Sequence, residues 1–213
     1  MPDFSLEEAA RAAGVRGAIV GVDEVGRGPW AGPVVACAAL AFEQDAPADF
    51  LAALQDSKQL SQARREALAP MIARYCRLGL AEASVREIEA HNILAASLLA
   101  MRRAVDALAC RIGGQPGLAL VDGNRAPSLA CPVETAVKGD GRSLSIAAAS
   151  VFAKVMRDRH MAELAAQHPG YGWERNAGYG VPEHLAGLQT LGVTIHHRRT
   201  FTPVAKLLTQ IDS

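Results

Sequence analysis

Two adjacent acidic residues, Asp23 and Glu24, at the end of an apolar run constrain this chain more than any other feature of its sequence. That run, residues 18–22, and a second one, residues 34–42, are rich in β-branched and small residues, which is typical of buried strands. A Gly-Arg-Gly connection at residues 26–28 indicates a tight turn between them. Two carboxylates at the end of a buried strand are costly unless a positive charge accompanies them. Since carboxylate oxygens suit Mg²⁺ or Mn²⁺, the pattern favours a divalent-cation site.

Length and composition indicate a globular protein with one core. The chain has 213 residues, half of them hydrophobic, and a formal net charge of zero, so a polyanion would have to be held by a local patch. The four cysteines lie far apart without a C-x-x-C pair, which argues against a zinc cluster and favours reduced thiols in a cytoplasmic protein. The acidic start lacks an apolar signal core, and no apolar stretch is long enough to span a bilayer, so we expect no membrane association.

Hydrophobic periodicity predicts helices alternating with strands after the first two strands. Strands are expected over residues 77–85, 117–121 and 132–137, and helices over residues 5–13, 61–73, 93–108 and 143–166. Ser5, Ser61 and Asn92 are the predicted helix caps, and residues 43–49 are expected to form a loop. This order predicts one α/β domain with a mixed sheet flanked by helices. The Gly- and Arg-rich part from about residue 168 to residue 213 is expected to be a helical or irregular extension packed on it.

Two further acids follow predicted strands: Asp122 ends the strand over residues 117–121, and Asp140 comes shortly after the next one. Because open sheets bind ligands beyond the ends of their strands, we expect the four acids to converge. An Asp before Gly is also a common turn former, and for Asp122 alone the turn and ligand interpretations have about even support. A cage of such carboxylates with two ions can activate a water and stabilise a leaving oxygen in phosphodiester cleavage.

The Gly-Arg-Gly connection allows other interpretations. Residues 26–31 match the Gly-x-Gly-x-x-Ala dinucleotide fingerprint, which would indicate a nicotinamide-dependent oxidoreductase. That fingerprint opens a helix, whereas Pro29 and Pro33 lead into a predicted strand, and the two preceding acids would repel a pyrophosphate. A backbone bared by glycines can instead approach a sugar or phosphate closely. A non-catalytic nucleic-acid binder is a third class, and its binding would be indifferent to divalent metal and to loss of Asp23.

The block from Gly21 to Val35 closely resembles the signature of prokaryotic ribonuclease HII. The resemblance continues over nearly the whole chain in the segments Asp56–Ser61, Asn92–Leu94, Val121–Gly123, Lys138–Asp140, Ile146–Asp158, Gly178–Gly180 with His184, and His197–Phe201. It implies an RNase H-like fold in which residues 1–213 form one catalytic domain. It also implies a metal-dependent endoribonuclease that hydrolyses the RNA strand of RNA/DNA hybrids and nicks duplex DNA 5′ of an embedded ribonucleotide, leaving 3′-hydroxyl and 5′-phosphate ends.

The resemblance also implies which acids are catalytic. The carboxylates that would hold Mn²⁺ or Mg²⁺ at the scissile phosphate are Asp23, Glu24, Asp122 and Asp140. Asp158 belongs to another matching segment, but Arg157 and Arg159 flank it within a predicted helix. We therefore expect Asp158 to be an ion-paired structural or outer-sphere acid rather than the fourth ligand.

By the same resemblance, Gly26, Arg27 and Gly28 correspond to the segment that reads the ribose, and Tyr179 corresponds to its partner at the 2′-hydroxyl and the adjacent sugar. The 2′-hydroxyl distinguishes RNA from DNA and can both donate and accept a hydrogen bond. A phosphate clamp is the alternative for Arg27, and a half-buried ring with its hydroxyl in water is the alternative for Tyr179. Lys58 is expected to contact phosphate, although an ordinary loop before a capped helix explains its segment about as well.

Three remaining features bear on the substrate. Residues 196–199, His-His-Arg-Arg, form a local basic patch that would lie along the duplex backbone or simply face solvent. Ala177 and Val181 stand where the family often has Lys and Thr, and we expect a modest loss of grip on phosphate. The expected partner is an RNA/DNA hybrid or ribonucleotide-containing duplex DNA, bound by a monomeric protein.

Overall fold

The computed structural model describes residues 1–40, 46–54, 57 and 59–211, with the side chains of residues 210 and 211 excepted. The chain forms two compact units. The first consists of Met1–Val25, Val35–Glu82 and Leu98–Val155, and the second of Gly26–Val34, Ala83–Ser97 and Met156–Ser213.

Helices and strands alternate along the chain in an α/β order. The strands are β1 (Ile19–Val25), β2 (Val34–Leu40), β3 (Arg77–Ala83), β4 (Leu118–Asp122) and β5 (Val133–Ala136). The helices are α1 (Ser5–Ala12), α2 (Ala48–Ala53), α3 (Gln62–Tyr75), α4 (Val85–Ile112), α5 (Leu144–Gln167), α6 (Trp173–Asn176), α7 (Pro182–Leu191) and α8 (Thr202–Ile211), and a 3₁₀ turn spans Gly139–Gly141. No helix in the described part of the chain is long and apolar enough to cross a membrane.

In the described part of the first unit the strands form one mixed sheet with the order β3-β2-β1-β4-β5. Strand β1 pairs with β2 in antiparallel and with β4 in parallel orientation, and β4 pairs in parallel with β5. Val22 lies opposite Val121 in the β1–β4 register, and Asp23 and Asp122 each come one residue later. The expected mixed sheet flanked by helices is confirmed, and its register places two of the predicted acids at one edge.

The start of α5 packs directly on the middle of β1. A Cβ atom at Gly21 would lie 2.2 Å from the backbone nitrogen of Ile146 and from the carbonyl carbon of Ser145, so only glycine permits this approach. Ser150 lies one turn beyond Ile146 on α5, and its side chain hydrogen-bonds to Asp23. The close contact at Gly21 thus fixes the helix that supports the acidic end of β1.

Two predicted helix caps are confirmed. Ser61 Oγ accepts the backbone N–H of Arg64 at 3.3 Å and precedes α3. Asn92 has a φ of 70°, and its Oδ1 accepts the backbone N–H groups of Leu94 and Ala95. Asn92 caps the second part of α4 at a kink. The first part of α4, which begins at Val85, was not predicted by the sequence pattern.

Other local predictions were wrong. Ser5 is the first residue of α1 rather than its cap, and Asp3 Oδ1 accepts the Ser5 N–H at 2.9 Å. Part of the expected loop over residues 43–49 is helical, since α2 begins at Ala48 and buries Phe50. Residues 41–45, including the predicted end of the second strand at Phe42, lie outside the described residues.

The second unit has a small core of its own. Aromatic and aliphatic side chains form it, namely Ala31, Met161, Leu164, Ala165, Tyr171, Trp173, Leu188 and Val204. Helices α6, α7 and α8 lie in the part of the chain beyond residue 168. The grouping of residues 1–213 into a single catalytic domain with this part as an extension stays a prediction.

Candidate active site

Three carboxylates meet at the end of β1 in the first unit. Asp23 is 6% exposed, and its Oδ1 accepts the backbone N–H of Glu24 at 2.7 Å. Burial raises the pKa of Asp23 well above its ordinary value, and the negative charges of Glu24 and Asp122 raise this pKa further. The hydrogen bond from the Ser150 hydroxyl opposes that shift without cancelling it. Like charges held this close together in a buried place are unstable without a counter-ion.

The fourth predicted acid lies in a turn that contacts the end of β4. Gly139 donates its backbone N–H to Asp122 Oδ1 at 2.6 Å, and Asp140 follows it in the 3₁₀ turn with 4% exposure. A Cβ at Gly139 would lie 2.6 Å from Ile146 Cδ1, so any larger residue there would have to displace the end of that side chain. The turn therefore orients Asp122 and brings Asp140 beside the strand that carries it.

The donor set fits a hard divalent cation. Clustered Asp and Glu oxygens are the ligands that Mg²⁺ and Mn²⁺ prefer, and a bound cation would remove the repulsion that raises the pKa of Asp23. Among the residues that the structure describes, no group of three His, Cys, Asp or Glu side chains is placed so that it could hold a metal ion. The acids thus match a cation by their chemistry and burial, and side-chain rotation would have to close them around it.

In the second unit, two buried guanidinium groups hold the segment 26–33, which contains the Gly-Arg-Gly connection, by its backbone. Arg198 donates to the carbonyl oxygens of Gly26 at 2.5 Å, Arg27 at 2.9 Å and Gly32 at 2.9 Å. Arg157 donates to the carbonyl oxygen of Ala31 at 3.0 Å and also to those of residues 33 and 177. Carbonyl dipoles therefore solvate both cations in place of water.

Both arginines stay charged at neutral pH despite complete burial. Desolvation lowers the pKa of Arg157 to about 10 and the pKa of Arg198 to about 9. The negative charge of Asp158 partly opposes the shift at Arg157, and the role of Asp158 stays a prediction. The Arg198 guanidinium also lies 5.1 Å from the centre of the Phe201 ring, a cation–π distance.

The carbonyl groups that accept from Arg198 determine where the backbone N–H groups of the Gly-Arg-Gly connection point. In a trans peptide the C=O and the next N–H point in opposite directions, and the described chain has no cis peptide bond. Since Arg198 takes the carbonyls of Gly26 and Arg27, the N–H groups of Arg27 and Gly28 point away from it. Arg27 and Gly28 are both exposed, so this face of the turn presents backbone donors outward.

Tyr179 lies next to that face. A Cβ at Gly28 would lie 3.5 Å from Tyr179 Cε1, so the ring packs beside the backbone of Gly28. Tyr179 is 42% exposed. Trp30 donates its backbone N–H to the Gly178 carbonyl at 2.8 Å, and a Cβ at Gly180 would overlap the Trp30 ring. The structure thus brings together the Gly-Arg-Gly connection and Tyr179, which the family resemblance pairs with it, and their role at the ribose stays a prediction.

The course of the segment 26–33 disfavours a dinucleotide loop, because the segment leads into strand β2 rather than into a helix.

The prediction that residues 196–199 form a basic surface patch was wrong. His197 and Arg198 are buried at 1% and 0% exposure, His196 is half-buried, and only Arg199 among the four is exposed. Lys58, expected to contact phosphate, lies outside the described residues.

Sequence reasoning missed the buried arginines and a buried ring cluster formed by Trp173, His184 and His197. One signal for Arg157 was available: Ala153 and Met161, four residues before and after it on α5, are apolar and buried. An arginine on the apolar face of a helix needs internal acceptors.

The sequence model of the ribonuclease HII family matches residues 20–204. A ribonuclease HII of Jannaschia sp. is 56% identical over 97% of this chain and 98% of its own length, and that of Gluconobacter oxydans is 51% identical over 98% and 97%. Among solved structures, ribonuclease H2 from Pyrococcus horikoshii aligns with a TM-score of 0.78 at 24% identity, covering 92% of this chain and 99% of that one. A ribonuclease HIII solved in complex with Mn²⁺ aligns with a TM-score of 0.74 at 18% identity, covering 98% and 81%, and shows the same fold.

Proposed function

The chain belongs to the ribonuclease HII family and is a ribonuclease H enzyme, and from this premise we propose that it nicks duplex DNA on the 5′ side of an embedded ribonucleotide. It also hydrolyses the RNA strand of RNA/DNA hybrids, and both reactions leave 3′-hydroxyl and 5′-phosphate ends. The observation that carries the proposal is the cluster that the buried Asp23 forms with the half-buried Glu24 and Asp122.

In this proposal the four acids hold Mg²⁺ or Mn²⁺ at the scissile phosphate. The bound ions would lower the pKa of the attacking water and stabilise the charge on the leaving oxygen. Asp23 is held in place by the N–H of Glu24 and the hydroxyl of Ser150, and Asp122 by the N–H of Gly139. Such hydrogen bonds orient these two carboxylates at the ends of their strands.

The Gly-Arg-Gly connection and Tyr179 supply the test for ribose. The outward N–H groups of Arg27 and Gly28 can donate to a sugar or phosphate oxygen, and the Tyr179 hydroxyl can donate to or accept from a 2′-hydroxyl. The exposed ring of Tyr179 also offers a surface for the adjacent sugar. Only Val25 separates this segment from the acid pair in sequence, which supports a coupling of ribose recognition to cutting.

A nicking assay tests the proposal. A duplex DNA with one embedded ribonucleotide is incubated with the enzyme and Mg²⁺ or Mn²⁺, with EDTA and an all-DNA duplex of the same sequence as controls. We expect a single nick 5′ of the ribonucleotide that EDTA abolishes. Cutting of the all-DNA duplex, or no metal-dependent nick at the ribonucleotide, would contradict the proposed activity. A cytoplasmic location and a monomeric state stay predictions.

A further inference from the structure

A buried chain of rings leads to the backbone of Tyr179. His184 is fully buried, and its Nδ1 lies 2.9 Å from the Tyr179 carbonyl oxygen. On the other edge of the same ring, His184 Nε2 lies 3.0 Å from Trp173 Nε1 and 3.1 Å from His197 Nε2. His197 Nδ1 in turn lies 3.0 Å from the backbone nitrogen of Thr194. All of these residues belong to the second unit.

The partners of each nitrogen determine where the protons are. The backbone N–H of Thr194 can only donate, so His197 Nδ1 accepts and the ring proton of His197 is on Nε2. That proton is donated to His184 Nε2, which also accepts from the indole N–H of Trp173. His184 Nε2 is therefore an acceptor, and its single proton is on Nδ1, where it is donated to the Tyr179 carbonyl. The hydrogen bonds thus all run in one direction, toward Tyr179.

The chain holds together only while both histidines are neutral. A proton on His184 Nε2 would face two donors, the indole N–H and the His197 N–H. Burial lowers the pKa of His184, and it lowers the pKa of His197 to about 3. Both rings therefore keep the required neutral form at the pH of the cell.

We propose that His184 and His197 are positioning residues for ribose recognition: their fixed tautomers hold the Tyr179 carbonyl, and thereby keep the Tyr179 ring against Gly28. The inference rests on the proposed function, in which Tyr179 contacts the ribose. Tyr179 is 42% exposed, so part of its ring is open to a substrate. Its backbone is held at the carbonyl, which accepts from His184 Nδ1 at 2.9 Å and from the backbone N–H of Val181 at 3.0 Å. It is also held at its own N–H, which the Asn176 carbonyl accepts at 2.9 Å.

A matched pair of variants separates the two edges of the His184 ring. In His184→Asn the side-chain amide can occupy the place of Nδ1 and keep donating to the Tyr179 carbonyl. In His184→Gln the amide reaches toward the place of Nε2 and loses that bond. We expect His184→Gln to lower kcat on the single-ribonucleotide duplex by about 10- to 100-fold, as for a misplaced positioning group. We expect His184→Asn to lose less than about threefold.

A double-mutant cycle with Tyr179→Ala tests whether the effect passes through the tyrosine. If it does, the Tyr179→Ala enzyme, whose lower activity is measured first, loses nothing more when His184→Gln is added. A loss from His184→Gln of the same size in both backgrounds would overturn the inference and leave His184 a merely structural residue. An equal loss in His184→Asn and His184→Gln would overturn it as well.

NMR gives a readout that does not depend on activity, so failure of the inference and failure of the proposed function are distinguishable. With only six histidines in the chain, ¹⁵N labelling resolves each ring. We expect the Nδ1–H tautomer at His184, the Nε2–H tautomer at His197, and a nuclear Overhauser effect between the Tyr179 ring and Gly28 that is kept in His184→Asn and lost in His184→Gln. The opposite tautomer at either histidine, or an unchanged effect in His184→Gln, would refute the inference even in an enzyme that nicks as proposed.

Discussion

The substitution Asp23→Asn is expected to stabilise the metal-free protein while it abolishes nicking. Asparagine has nearly the same shape as aspartate, and its Oδ1 can still accept the N–H of Glu24. The change therefore removes little except a negative charge, which in the native protein is buried beside the charges of Glu24 and Asp122. The variant should therefore be more stable but less active than the native protein, which is the usual trade-off at a destabilised active site.

The size of the gain follows from the register of the sheet. Asp23 and Asp122 each come one residue after the paired Val22 and Val121, and neighbouring strands lie about 5 Å apart. Two like charges at that distance repel by about 1 kcal/mol in water and about 3 kcal/mol at an effective dielectric constant of 20. The destabilisation by this charge at pH 7 cannot exceed about 4 kcal/mol, because Asp23, whose ordinary pKa is 3.8, would otherwise take up a proton. We expect a gain of about 1–3 kcal/mol in the free energy of unfolding, which raises Tm by about 2–12 °C in a protein of this size.

Thermal unfolding with and without Mg²⁺ or Mn²⁺ measures both sides of the effect. Metal at 1,000 times its Kd should stabilise the native protein by about 4.1 kcal/mol, whereas the variant should gain little. The order of the two Tm values should therefore reverse when the metal is added. Nicking of the single-ribonucleotide duplex should fall more than about 100-fold, since even outer-sphere partners of a metal site cost 10- to 100-fold.

Asp106→Asn is the matched control, because Asp106 is exposed on α4 in the same unit. It should change neither the Tm with metal, the Tm without metal, nor the nicking rate. An Asp23→Asn protein that is less stable than the native protein without metal, or that gains as much as the native protein from metal, would refute the electrostatic reasoning. Nicking near the native rate would refute the assignment of Asp23 as a ligand.

Three further predictions concern the second unit. Val181 is the N-cap of α7 with an extended backbone and no side-chain hydrogen bond to the helix. Val181→Thr should therefore raise the free energy of unfolding by about 1 kcal/mol in a urea titration, whereas Val181→Ala should not. An equal gain in both variants would refute the capping explanation. The pKa of His197 is lowered from 6.5 to about 3, so its neutral form contributes stability that is complete above pH 6.5 and is lost as the pH falls toward 3. Urea titrations should show a loss of at most about 2 kcal/mol from this group between pH 7.5 and pH 5, and an unchanged slope in His197→Gln would contradict it. Gly26 has a φ of +92°, and a Cβ there would lie 2.1 Å from Arg157 Nε. Gly26→Ala should therefore lower the free energy of unfolding by more than about 2 kcal/mol and slow nicking. A variant as stable as the native protein would show that the segment can shift freely.

Much of the candidate site could be predicted from the sequence because its parts are local signals. An acid pair after an apolar run, an Asp at a strand end and a Gly-Arg-Gly connection each mark a strand end or turn within a few residues. The helix caps Ser61 and Asn92 were found for the same reason, since a cap bonds to backbone only two or three residues away. The helix α2 was missed because the burial of Phe50, and not the local pattern, supports it.

What only the tertiary structure decided is which charged and polar side chains lie inside. In sequence, His197 and Arg198 belong to a basic run that looks exposed, because a buried charge is costly unless acceptors surround it. The acceptors for Arg198 are carbonyls of the segment 26–33, up to 172 residues away in the chain, and no local pattern reveals them. By itself the sequence predicted the acids as metal ligands, and its resemblance to a known family predicted the Gly-Arg-Gly connection and Tyr179 as readers of the ribose. Folding decided that Arg198 and His184 lie inside, where they hydrogen-bond to the backbone of that connection and of that tyrosine.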